Sequence, residues 1–148
     1  GGGCHEQPGR TVNPLQDFSI TITPRFYETD ALGHINNASI AAWFEVARVK
    51  FLESLGENKP ETAKDWVLAN ISIDFVLETF YGTDVEAVIT GAEIGNSSLT
   101  VLCEMSQAGR VTVRGRAVLV HRDPVAGTST RVPDELRREL AAFNAQGA

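Results

Sequence analysis

At 148 residues, with 43% hydrophobic and 22% charged side chains, the chain has the composition of one globular domain with a core of its own. That balance excludes disorder of the whole, and no apolar run is long enough to span a bilayer. The net charge of −6 excludes general nucleic-acid binding.

Residues 1–16 are Gly-rich and polar without periodicity, and are expected to form a flexible arm ahead of a single domain at 17–148. No secretory signal is visible there, and the two cysteines, Cys4 and Cys103, lie in unlike contexts. A cytoplasmic, reducing location is therefore the expectation. From Phe18 to Phe26, Phe18, Ile20 and Ile22 alternate with Ser19, Thr21 and Thr23, the period of a strand, and Pro24 marks its edge or end. A polar loop follows, carrying Asp30, Gly33 and His34. It runs into a helix closed by Gly56, with Asn36 or Asn37 as the natural N-cap. That helix is apolar nearly all round, with a thin polar seam at Ser39, Glu45, Arg48, Lys50 and Glu53, so it is expected to be buried. Glu45 lies three residues before Arg48, the spacing of a helix ion pair. Residues 56–65 read as a solvated connection.

From Trp66 onward the period is two. Strands are predicted over Val67–Leu77, Val85–Ile89, Leu99–Met105 and Val111–Val120, with turns at TFYGTD, GNSS and residues 107–110. Short turns predict an antiparallel meander for these four. Pro133 opens a short C-terminal helix with Asp134 and Glu135 in its first turn and Arg137 and Arg138 later, as the helix dipole prefers. The charge divides unevenly: residues 1–109 hold 6 Lys/Arg against 15 Asp/Glu, a charge of −9, while residues 110–148 hold 7 Arg against 4 acids, or +3. An arginine-rich end on an acidic domain suits a phosphorylated small ligand, since arginine grips phosphate bidentately; exposed decoration of a strand and a helix reads equally well.

The run YETDALGHINNASIAAWFEVAR, the strand ending in ETFYGTDV, the GNSS turn, GRAVLVHRDP and the VPDELRREL tail resemble acyl-CoA thioesterases of the hotdog fold, in the 4-hydroxybenzoyl-CoA thioesterase-like branch. The similarity covers roughly residues 18–143. It implies an α+β hotdog fold, a five-stranded antiparallel sheet wrapped around the long helix. It also implies a homodimer or homotetramer with sites at the subunit interface, and hydrolysis of an acyl-CoA to free acid and CoA. No metal and no separate cofactor are implied, because coenzyme A is part of the substrate.

By this resemblance Asp30 is the catalytic acid, either attacking the thioester or activating water. As a residue type it reads just as well as a turn aspartate that bonds its own backbone. The backbone N–H groups at the helix start near Asn37 would hold the oxyanion. Gly33 would let the backbone turn closely, and His34 would orient Asp30 or the thioester, against the plainer reading of a loop histidine. Asn36, Ser97, Ser98, Arg114 and Arg116 are the expected substrate contacts, with Arg110 a further candidate for the coenzyme A phosphates. Two other readings remain: a non-catalytic acyl-CoA-binding or structural hotdog module, and an enoyl-CoA hydratase.

Overall fold

The computed structural model describes residues 18–56 and 65–147. The predicted arm at 1–16 and most of the connection at 56–65 lie outside them. Strand β1 spans Phe18–Ile22 and stops before Pro24, which cannot donate to a ladder. A 3-10 turn at Phe26–Glu28 leads to the loop and to helix α1, Asn37–Ser54. Then come β2 (Trp66–Phe75), β3 (Val85–Ile94), β4 (Ser98–Gln107) and β5 (Arg110–Asp123). A two-residue β6 (Thr128–Ser129) and helix α2 (Asp134–Gly147) close the chain.

The sheet order is β1-β3-β4-β5-β2, with β6 paired to β5 and every pairing antiparallel. All five predicted strands are present. The predicted four-strand meander is not: only β3, β4 and β5 follow one another. Strand β2 pairs with β5 at the far edge, so the chain from Phe75 to Val85 crosses the end of the sheet instead of making a hairpin. Register slips between Leu68 and Asn70, Ile89 and Gly91, and Met105 and Ser106 mark three bulges, the device that bends a sheet.

Helix α1 lies against the bent face. Phe44 presses on the β5 backbone at Gly115, where an added Cβ would come within 2.7 Å of the ring. Ile40, Trp43, Ala47, Phe51 and Leu52 complete the buried stripe and join β3, β4, β5 and α2 in one core. The expectation of all-round burial is corrected here. Ala38, Ala42 and Val46 form an outer face that nothing among the described residues covers, with Val46 43% exposed. Arg48, placed in the polar seam from the sequence, is buried at 4% exposure with its guanidinium 4.9 Å over the Phe44 ring. The predicted Glu45–Arg48 ion pair is absent among the described residues: Glu45 is exposed and Nη1 of Arg48 has no partner. Burial pushes the Arg48 guanidinium below its usual range, opposed by Glu45.

The C-terminal helix predicted from Pro133 onward is present as α2, and Arg137 explains its docking. Arg137 Nη2 donates to the carbonyls of Gly95 (2.7 Å) and Asn96 (2.9 Å), pinning the GNSS turn to the helix.

Candidate active site

Glu28 sets the approach to α1. Its carboxylate accepts from the Arg25 backbone N–H at 2.8 Å and from Trp43 Nε1 at 3.0 Å. Its carbonyl accepts both the backbone N–H and the side-chain amide of Asn36, each at 2.9 Å. Asn36 Oδ1 then accepts from the Ser39 N–H at 2.7 Å, so Asn36 is the N-cap and both ends of its amide are engaged. Ile40 N–H reaches the Asn36 carbonyl. The backbone N–H groups of Asn37 and Ala38 are left without a protein partner among the described residues, and both residues are exposed.

The loop before the cap is closed by a bridge between Thr29 and Ile35. Inside it, Asp30 N–H donates to the His34 carbonyl at 2.7 Å. Asp30 Oδ1 accepts from the N–H groups of Leu32 (2.8 Å) and His34 (3.0 Å), the bonding of a turn aspartate. Both bonds fall on one oxygen of an exposed carboxylate. Gly33 sits at φ +83°, a conformation that a side chain disfavours, and so permits the turn.

The opposite wall is the segment between β2 and β3. Ile35 N–H donates to the Thr79 carbonyl at 2.8 Å, and His34 bridges Phe80. The His34 ring meets the Phe80 ring edge-on at 5.0 Å, and His34 Nδ1 lies 3.4 Å from Glu78 Oε1. Buried Gln107 fixes this segment from behind: its amide donates to the carbonyls of Phe80 and Thr83 and accepts from the Phe80 N–H. Between this wall and the helix start lies a cleft of about 430 Å³, lined by Ile35, Asn37, Ile40, Phe75, Glu78 and Thr79 among others. On the other side of the segment, a groove of about 390 Å³ is lined by Leu77, Glu78, Phe80, Gln107 and Arg110 among others.

Asp30, Gly33, His34, Asn36 and Asn37 are thus brought together at one end of the sheet. Ser97 and Ser98 are not. Ser98 begins β4, and Ser97 precedes it, at the opposite end, about 30 Å away along a ten-residue strand. Arg114 pairs with Glu104 at 3.3 Å, and it and Arg116 lie exposed along β5. Arg110 lines the groove that shares Leu77 and Glu78 with the cleft. Glu78 and Thr79 escaped the sequence reading, since only their tertiary contacts with residues 34 and 35 mark them. Among the described residues, no group of three or more His, Cys, Asp or Glu is placed to hold a metal ion, and no helix is long and apolar enough to cross a membrane.

Residues 24–140 match the family model of the thioesterase-like superfamily. The fold is similar to that of a predicted thioesterase from Bacillus stearothermophilus, at 34% identity over 86% of this chain and 96% of that one, with a TM-score of 0.79. A thioesterase from Thermus thermophilus, complexed with coenzyme A and Zn, shares 24% identity over 86% of this chain and 93% of its own, with a TM-score of 0.74. A DHNA-CoA thioesterase from Staphylococcus aureus shares 22% identity over 90% and 97%, with a TM-score of 0.78.

Proposed function

This chain belongs to the thioesterase-like superfamily and has its hotdog fold, and from that premise we propose that it hydrolyses an acyl-CoA thioester to the free acid and CoA. The observation that carries this reading is the start of α1: two unspent backbone N–H groups, at Asn37 and Ala38, beside an open cleft. A thioester carbonyl placed there would meet both donors and the positive end of the helix dipole, which favour the oxyanion that forms on attack. Asp30, on the turn leading into the cleft, is the acid. In one route its carboxylate oxygen bonds to the carbonyl carbon, the C–S bond breaks to release CoA thiolate, and water hydrolyses the resulting anhydride. In the other it takes a proton from the water that attacks. No cofactor enters either route.

The coenzyme A complex of the Thermus protein supports coenzyme A as the carrier. Arg110, in the groove beside the cleft, is a candidate for its phosphates. Ser97, Ser98, Arg114 and Arg116 fit the reading through a second copy of the chain. Among the described residues strand β2 is an edge of the sheet, with exposed Leu68, Ile71 and Phe75. An antiparallel contact between two β2 edges would set the GNSS end of one copy beside the Asp30 end of the other. A homodimer formed this way completes two sites. The bare outer face of α1, at Ala42 and Val46, offers the further contact a homotetramer needs.

One observation favours a second reading, a hotdog module that binds acyl-CoA without turnover: Asp30 already has a structural job in its turn. Thiol release from benzoyl-CoA and from C4 to C16 acyl-CoAs, by wild type and Asp30→Asn in parallel, separates the two. The asparagine retains Oδ1 for both turn bonds while losing the charge, so the fold should hold and turnover should drop at least about a hundredfold. Tight binding without turnover in the wild type supports the second reading.

A further inference from the structure

We propose that the hydroxyl of Thr79 is a catalytic hydrogen-bond donor to the reacting thioester carbonyl, completing with the helix N–H groups a site for the oxyanion; the inference rests on the thioesterase reading. Thr79 is 3% exposed, and its Oγ1 is buried with no hydrogen-bond partner. Its carbonyl is already used, accepting from Ile35 N–H, while the hydroxyl is unspent. Burying a hydroxyl without a partner works against folding. A group held in that state is explained when a ligand, not the protein, supplies the partner.

Its position says which ligand atom that is. Thr79 lines the same cleft as Asn37, the first residue of α1, whose N–H has no protein partner. Ile35, Ile40, Phe75, Val76 and Leu77 supply apolar walls, and Glu78 adds a carboxylate to the lining. Two kinds of donor, one backbone and one hydroxyl, therefore belong to residues that line one cleft, Asn37 and Thr79, together with Glu78. A donor already fixed beside the place where charge develops needs no reorganisation during the reaction. The segment is also held rigidly enough for the task. Gln107 grips Phe80 and Thr83, while His34 and Ile35 bridge it from the loop side. In the reaction the hydroxyl keeps its proton. It donates a hydrogen bond to the carbonyl oxygen as that oxygen gains charge and releases it when the C–S bond breaks and the carbonyl re-forms.

Thr79→Val keeps the shape and deletes the hydroxyl, and Thr79→Ser restores it. On the best acyl-CoA substrate of the wild type, kcat of Thr79→Val should fall about a hundredfold with KM little changed, because the bond strengthens only in the transition state. Thr79→Ser should return to within about tenfold of wild type. The thermal midpoint of Thr79→Val should hold or rise, since an unpartnered buried hydroxyl is gone; a purely structural hydroxyl would show the reverse pattern, lower stability with unchanged kcat. Wild-type kcat in Thr79→Val, or a serine variant as slow as the valine one, overturns the inference. A wild type that turns over no thioester overturns the thioesterase reading itself.

Discussion

One oxygen of Asp30 closes a turn, and that economy leaves the second oxygen available for the chemistry proposed for it. The residue type and its loop were legible in the sequence, and so was the competing turn role; the structure shows the turn role is real. Asn36 was legible as a cap because Asn before an apolar helix has few other uses, but its double grip on Glu28 was not, since that partner lies eight residues back on a separate turn. Cys103 is the simplest case. Alternation with apolar neighbours marked it as core, and it is 2% exposed. Burial, then Glu104, pushes its thiol from 9.0 up to about 12. A raised acid pKa adds stability that is full below the unfolded value and is lost as pH climbs toward the folded one. In a Cys4→Ser background, native protein at pH 8 should resist thiol reagents and react only on unfolding. Between pH 9 and pH 11 this form should lose about 2 kcal/mol more stability than one also carrying Cys103→Val, read as urea midpoints. Rapid native labelling at pH 8, or equal losses, would contradict the burial.

At the scale of elements, the period of two located β1 to β5 but not the two-residue β6, and it could not say which strands are neighbours. The segment TFYGTD has the turn residues of a hairpin, but its role is to cross the sheet end and meet the loop before α1, and no local signal distinguishes the two. The helix shows the same limit. Apolar residues on every side predicted full burial, whereas packing chose one face and left Ala42 and Val46 bare. What packing demands at that face is visible at Gly115. A methyl there would sit 2.7 and 2.9 Å from two carbons of the Phe44 ring, and Phe44 is only 1% exposed, with little room to retreat. Gly115→Ala should therefore cost about 1–3 kcal/mol in urea unfolding, the scale of overpacking. Adding Phe44→Leu should cost less than the two single changes together, because the smaller side chain makes room. Strict additivity would mean that the two residues do not share this contact.

For the whole molecule the open question is what covers β2. It is an edge strand whose inner side chains, Ile71 and Phe75, lie opposite Ala117 and Val113 of β5, yet are 38% and 47% exposed. Natural edges are usually blunted with charge or covered, because an apolar edge templates further pairing. Here the near end of the strand also borders the cleft, and the GNSS turn that would complete a coenzyme A site lies at the far end. A second copy related by a two-fold axis answers both demands, since antiparallel edges exchange near and far ends. If so, a carboxylate in the middle of β2 should split the assembly and silence the site together. Ile71→Glu should move the protein to monomer mass in light scattering and lower thiol release by at least tenfold, while remaining folded by circular dichroism, because the position is already partly open to water. Val125→Glu, at a residue 95% exposed on the β5–β6 hairpin, should change neither reading. A wild type that is monomeric and active would show that one copy suffices. An Ile71→Glu protein that keeps both mass and activity would move the contact away from β2, and with it the reason for placing Ser97 and Ser98 near the substrate.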